Sequence, residues 1–297
     1  MATPAQWFAG ARPRTLPAAI SPVLAGTGVA VWEEEAVWWK ALLALVVSLL
    51  LQVGVNYAND YSDGVRGTDD ARVGPMRLVG SKAATPRAVK TAAFLSLGGA
   101  GLVGLVLAAT TAWWLVGVGL LCILAAWFYT GGSRPYGYMG LGEVMVFVFF
   151  GLVAVIGTTY VQTQSFELPA LYAGIGIGAL ACAILVANNL RDIPTDKRAG
   201  KRTLAVALGD DRTRHLYGLL VDLAVVALIG VALTTSWWVL LALVAGWPAV
   251  RAVTIVLGDK AIGADLIPVL QQTGIAELLY AAGLFAGLTI SNVISSV

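Results

Sequence analysis

Residues 41–63 read ALLALVVSLLLQVGVNYANDYSD, an uncharged apolar run that ends in Asn56, Asn59, Asp60 and Asp63. Residues 168–196, LPALYAGIGIGALACAILVANNLRDIPTD, repeat the arrangement and end in Asn188, Asn189, Asp192 and Asp196. Each apolar run has about the 20 residues a helix needs to cross a bilayer. On such a helix Asn56, Asp60 and Asp63, at i, i+4 and i+7, line one face. Asn188, Asp192 and Asp196, at i, i+4 and i+8, do the same. Two membrane-crossing helices therefore carry a comb of amides and carboxylates at one end. Hard divalent cations such as Mg²⁺ take oxygen ligands, commonly one or two carboxylates plus substrate phosphates, so facing combs suit a metal-bridged diphosphate.

The rest of the chain agrees with a membrane setting. Of its 297 residues 58% are hydrophobic and 12% charged, against roughly 45–50% and about 25% in a soluble domain. A soluble chain of this length would have to bury almost every helix all round. Apolar stretches at approximately 15–31, 37–56, 91–109, 112–130, 140–161, 168–190, 215–234, 237–255 and 274–294 predict nine transmembrane helices. The expected fold is all-α and polytopic, a single domain over 1–297 in two similar halves, roughly 1–130 and 131–297. Arg12 and Arg14 ahead of the first span resemble the start of a signal peptide, but eight spans follow, and the first is read as retained. Cys122 and Cys182 lie inside apolar spans, where a thiol is a small hydrophobe, and His215 is the only histidine. Thiolate sites, disulfide frameworks and histidine-based triads have little to draw on. Nothing points to a nucleic-acid partner.

Charge sets the orientation. All of the 19 Lys and Arg except Lys40 fall before helix one, in alternate loops, or at and beyond the end of helix eight. The positive-inside rule makes that face cytoplasmic and the C-terminus external, in a multi-pass protein of the cell membrane. Both combs open on the cytoplasmic face. The opposite face carries Glu33-Glu34-Glu35, read as a solvated turn, and the pairs Trp38-Trp39, Trp113-Trp114 and Trp237-Trp238, read as interfacial anchors. The glycines in Gly98-Gly99-Ala100-Gly101 and at 174, 176 and 178 are read as helix-packing positions.

Cations follow each comb: Arg66, Arg72 and Arg77 after the first, Lys197, Arg198, Lys201 and Arg202 after the second. Topology alone would account for the cations, but not for acids in register beside them. Together they suit a diphosphate, with acids on the metal and cations on phosphate oxygens. A secondary transporter, which also uses buried acids, is the rival of another class, but it would place them near the bilayer midplane on broken helices.

The combs, the nine spans, Tyr129-Thr-Gly-Gly-Ser133-Arg134-Pro135 between helices four and five, and Lys201-Arg202-Thr203 resemble the UbiA superfamily of intramembrane aromatic prenyltransferases. The run from Ala11 to Pro17 with Pro22, the first comb, and Gly74-Pro75-Met76-Arg77-Leu78-Val79 are similar to its MenA branch, the 1,4-dihydroxy-2-naphthoate polyprenyltransferases of menaquinone synthesis. Across the superfamily the last acid of the first comb commonly falls where Gly64 stands here; the MenA branch shares the shift to Asp63. Pro194 lies inside the second comb and makes a kink between Asp192 and Asp196 an expectation.

The resemblance implies a helical bundle around a central cavity, capped by cytoplasmic loops and open to the lipid for the isoprenoid tail. It implies that Asp60 and Asp63 hold one Mg²⁺ and Asp192 and Asp196 a second, with Asn56 and Asn188 orienting them. Arg134, Lys197 and Lys201 would neutralise the leaving diphosphate of a polyprenyl diphosphate. Arg77, Arg12 and Arg14 are candidates for the carboxylate of 1,4-dihydroxy-2-naphthoate, with interfacial anchoring equally open for Arg12 and Arg14. Tyr129, with Tyr57 and Tyr61, could face the allylic cation. Glu143, Asp222 and Glu277, within or near spans, carry a functional default, and Asp69 and Asp70 fit the capping loop. Acceptors such as 4-hydroxybenzoate or homogentisate are the nearest alternatives.

Overall fold

The computed structural model describes residues 2–67 and 76–295. Asp69, Asp70, Arg72, Gly74 and Pro75 lie outside the described residues. All regular structure among the described residues is helical, as expected of a chain that must satisfy its backbone polar groups within each membrane-crossing segment.

Nine helices correspond to the nine expected stretches: α1 Pro17–Trp32, α2 Trp38–Arg66, α3 Pro86–Thr110, α4 Leu115–Phe128, α5 Gly142–Thr163, α6 Leu168–Arg198, α7 Asp210–Thr234, α8 Trp237–Gly258 and α9 Gly263–Ser295. The count of nine spans is corrected in one respect. Seven of these helices, α2, α3 and α5 to α9, are by themselves long and apolar enough to cross a membrane. The first span is a bent pair, Pro4–Thr15 and Pro17–Trp32, meeting at 50°. Pro13 and Pro17 fix the backbone at that corner and withhold an N–H from it. α4 is only 14 residues long, about 21 Å at 1.5 Å per residue.

α6 is the pillar of the bundle. Of its apolar stretch 72% lies inside the protein, against 28–39% for the other six long helices, so the second comb stands on the most immobilised element. α6 packs along α7 and α5, α9 along α1 and α8, and α2 along α3. Small residues permit the closest approaches. A Cβ on Gly151 of α5 would stand 2.5 Å from both the Gly174 carbonyl oxygen and the Gly178 Cα of α6. α5 widens into a π-turn over Phe147–Val153 where this contact is made. The run Gly98–Gly101 does otherwise: Gly98 faces open space and Gly99 and Gly101 make only ordinary contacts. All six paired tryptophans are exposed at or beside the starts of α2, α4 and α8, the ends away from the combs.

The helix of the second comb runs without a break through Pro194. Pro194 does not end the helix: Asp192, Pro194 and Asp196 lie on one helical end. Glu277 is fully buried with neither carboxylate oxygen partnered. It lies on α9, not on either helix that carries a comb.

The Gly151 contact is directly testable. Gly151→Ala forces α5 away from the α6 backbone and should lower stability by about 1–3 kcal/mol, read from thermal unfolding of the detergent-solubilised protein. Gly157→Ala, on the same helix but with nothing within 4 Å of the added Cβ, should leave it unchanged.

Candidate functional site

The site forms where the ends of α2 and α6 meet the loops that follow them, because carboxylates buried near a membrane need donors and cations brought to them. Along α2 each comb residue receives a different segment of the cap. Gln52 and Asn56 hold the N-terminal corner: the Asn56 side-chain amide donates to the Ala11 carbonyl (2.9 Å) and to Thr15 Oγ1 (2.9 Å), and Gln52 donates to Thr15 Oγ1 (3.0 Å). Arg12, in a left-handed conformation with φ 55°, points a guanidinium N–H at the Asn56 carbonyl (3.5 Å). Tyr57 donates to the Trp7 carbonyl at 2.9 Å. Asn59 accepts from Thr130 at 2.7 Å, and Arg66 donates to the carbonyls of Thr130 and Gly132.

Asp60 takes the loop between α2 and α3. Its two oxygens accept the backbone N–H groups of Leu78 (2.7 Å) and Val79 (3.0 Å). Leu78 is fully buried against Tyr57, Ala58 and Val89, so apolar packing and the carboxylate fix the same two residues. Asp60, a metal ligand on the reading of its spacing, thus anchors a backbone segment in the structure. Any cation at Asp60 would have to use lone pairs that these two bonds leave.

Asp63 is the meeting point. Its carboxylate is 4% exposed and accepts a hydrogen bond from the Tyr138 hydroxyl. Arg77 Nη2 lies 3.8 Å away and Lys201 Nζ 3.6 Å. Arg77 reaches it because Asp60 holds the next two residues of its loop. Lys201 arrives from the other comb. After α6 the chain turns through Gly200 at φ +72°, a left-handed position that suits glycine. The Lys201 N–H returns to the Asp196 carbonyl at 2.9 Å, and Arg202 N–H bonds the Tyr138 carbonyl at 3.0 Å. Tyr138 lies under both cations, with Lys201 Nζ 4.5 Å and the Arg66 guanidinium 5.4 Å from its ring. The two combs are therefore joined through one carboxylate, one lysine and one tyrosine.

In the second comb the Arg191 guanidinium holds both oxygens of Asp192, each at 2.7 Å, and also bonds Asn188 Oδ1 at 2.8 Å. Asp196 is 9% exposed. Asn189, on the reverse face, donates to Glu143 Oε1 at 2.9 Å, and Glu143 Oε2 is buried without a partner. Tyr129 packs edge-on to Tyr136 (5.5 Å). Arg14, Arg134 and Lys197 are exposed at the ends of the cap. Asp222 lies along α7.

The structure thus gathers Asn56, Asp60, Asp63, Arg12, Arg77 and Lys201 into one cluster and Asn188, Asp192 and Arg191 into another. Sequence reasoning missed Arg191, Tyr138, Asn59 and Gln52. Arg191 had a signal, since it stands three residues after Asn188 and can reach back along the helix. Tyr138 had none, lying 75 residues from Asp63. Among the described residues no three acid, histidine or cysteine side chains converge into a metal cage. The donors are oxygen only and arrive one or two carboxylates at a time, which fits a hard cation shared with phosphate oxygens and water.

The chain is similar to known proteins. The sequence model of the UbiA prenyltransferase family matches residues 19–265. A protein of Mycobacterium tuberculosis named 1,4-dihydroxy-2-naphthoate octaprenyltransferase is 59% identical over 95% of this chain and 96% of its own. One of the same name from Escherichia coli is 40% identical over 80% of each. Among solved structures, a UbiA homologue from Archaeoglobus fulgidus described as bound to GPP and Mg²⁺ superimposes with a TM-score of 0.69. It covers 95% of this chain and 99% of that one at 15% identity, which shows a shared fold.

The role of Asp60 can be read directly. In Asp60→Ala the Leu78 and Val79 amides lose their acceptors, and their hydrogen exchange, followed by mass spectrometry on segment 76–90, should quicken by at least about tenfold. Unchanged exchange there would mean the loop is held by packing alone.

Proposed function

The chain belongs to the UbiA prenyltransferase family, and on that footing we propose that it transfers a polyprenyl chain from polyprenyl diphosphate to 1,4-dihydroxy-2-naphthoate. The products are the reduced, quinol form of demethylmenaquinone, diphosphate and carbon dioxide, which places the protein in menaquinone synthesis. The observation that carries the reading is the meeting of Arg77 and Lys201 at Asp63. It sets phosphate-binding cations against a carboxylate at the place where both combs join. The near full-length match to proteins named for this acceptor supports the choice of aromatic substrate. A transporter would need a break near mid-membrane in the helices that carry the acids, and α2 and α6 are continuous.

In this reading Asp63, Asp192 and Asp196 hold Mg²⁺, with Asn188 beside them and Asp60 contributing through the oxygen lone pairs its backbone bonds leave. Bound Mg²⁺ supplies Lewis-acid neutralisation of the departing diphosphate. Lys201 and Arg77 bind phosphate oxygens, and the exposed Arg134 and Lys197 add positive charge at the rim as the carbon–oxygen bond breaks. The tail, wholly apolar, stays in hydrocarbon below the combs. Tyr129 faces the allylic cation with its ring. The naphthol carbon bearing the carboxylate attacks that cation, and the carboxylate leaves as carbon dioxide, its bonding pair restoring the aromatic ring. Arg12, turned towards Asn56, is better placed than the exposed Arg14 to hold the acceptor carboxylate. The working orientation is N-terminus and site cytoplasmic, C-terminus external, in the cell membrane.

Purified protein given Mg²⁺, farnesyl diphosphate and 1,4-dihydroxy-2-naphthoate should form the prenylated, decarboxylated product by mass spectrometry. Turnover on 4-hydroxybenzoate with none on the naphthoate would overturn the acceptor assignment. Orientation has its own test. In intact cells a membrane-impermeant maleimide should label Glu34→Cys and spare Lys82→Cys, and the reverse pattern would invert the topology.

A further inference from the structure

Eighteen of the 19 cationic side chains sit where the positive-inside rule wants them, but Arg191 does not behave as a topology charge. Its side chain is 3% exposed, whereas Lys197 and Arg198, about two turns later on the same helix end, are exposed. Adjacent residues on a helix do not face each other, yet the guanidinium folds back over Asp192 in a two-pronged pair at 2.7 Å on each oxygen. The Nη2 that holds one Asp192 oxygen also donates to Asn188 Oδ1 at 2.8 Å. A single buried cation thereby engages two of the three second-comb side chains that a metal would use. A guanidinium fork matches a carboxylate and a phosphate about equally well, so the group that neutralises Asp192 can also neutralise a diphosphate.

We propose that Arg191 is an internal competitor of the divalent cation. It holds Asp192 and Asn188, and when a metal–diphosphate complex enters it exchanges them for phosphate oxygens while the metal takes the carboxylate. The proposal rests on the diphosphate reading above and adds a consequence to it: metal and diphosphate bind cooperatively. Metal alone has to displace a charge-assisted bidentate pair, and diphosphate alone meets a guanidinium already engaged. Together they replace both sides of the pair at once, so no buried charge is left without a partner. Lys201 and Arg77 at Asp63 stand in the same relation, more loosely, at 3.6 and 3.8 Å.

The test is a titration of the purified full-length protein with Mn²⁺, followed by electron paramagnetic resonance, with and without farnesyl diphosphate and with no aromatic acceptor present. In the unaltered protein farnesyl diphosphate should tighten Mn²⁺ binding. In Arg191→Gln, Mn²⁺ alone should bind at least about tenfold more tightly, and the tightening by farnesyl diphosphate should shrink by at least about tenfold. A residue that only braced the helix end would weaken Mn²⁺ binding when removed, so equal or weaker binding of Mn²⁺ alone to Arg191→Gln overturns the proposal. If Arg191→Gln does not fold, Arg191→Lys decides. It keeps the charge without the fork, and Mn²⁺ alone should again bind more tightly than in the unaltered protein; no gain overturns the proposal. Failure of the unaltered protein to bind farnesyl diphosphate at any Mn²⁺ concentration would instead count against the diphosphate reading itself.

Discussion

A carboxylate buried at the edge of a bilayer has to be met by donors and cations, and the cap of this protein is built around that requirement at Asp63. Three segments distant in sequence converge on it: the loop carrying Arg77, the turn carrying Tyr138, and the connection carrying Lys201. Electrostatics and hydrogen bonding bring them there, helped in the Arg77 loop by the burial of Leu78, and Asp60 and Asn56 repeat the device for the backbone at Leu78 and Val79 and for the N-terminal corner. The hydrophobic effect decides where the helices stand; the acids at their ends decide what closes over them. The two jobs are divided along α2 itself, whose first half is an apolar run and whose last turns hold the cap contacts of Asn56, Asn59, Asp60 and Asp63.

The division explains what was legible in the sequence. Helix positions could be read because bilayer crossing imposes a length and a composition, and all nine stretches have helical counterparts. The exceptions are instructive. α4 falls short, its helix starting only after the turn at Trp113 and Trp114, and the first span bends because prolines at 13 and 17 cannot continue a helix. The comb residues were visible because a periodicity of 3.6 on an apolar helix makes polar side chains conspicuous. Partners were not. That Asp60 grips backbone amides, that Arg191 folds onto Asp192, and that Tyr138 joins the combs depend on contacts that no spacing encodes. Pro194 is carried within the last turns of α6 and does not end the helix.

The buried arginine gives the second comb a different character from the first. At Asp63 the counter-charges come from separate loops and stand 3.6–3.8 Å off, so they can be withdrawn by moving the loops. At Asp192 the counter-charge is the neighbouring residue of the same helix and is in full contact. Withdrawing it takes only a change of rotamer on the helix least able to move. A site that must admit a diphosphate and release one thus pairs a yielding half with a fixed half.

The shortness of α4 reaches beyond the protein. A helix of about 21 Å beside a hydrocarbon layer of about 30 Å obliges the bilayer to thin, or headgroups to descend, along that flank. α4 ends at Phe128, directly before Tyr129 and Thr130 of the cap. The water boundary is therefore drawn down on the flank of the molecule next to those two residues of the cap.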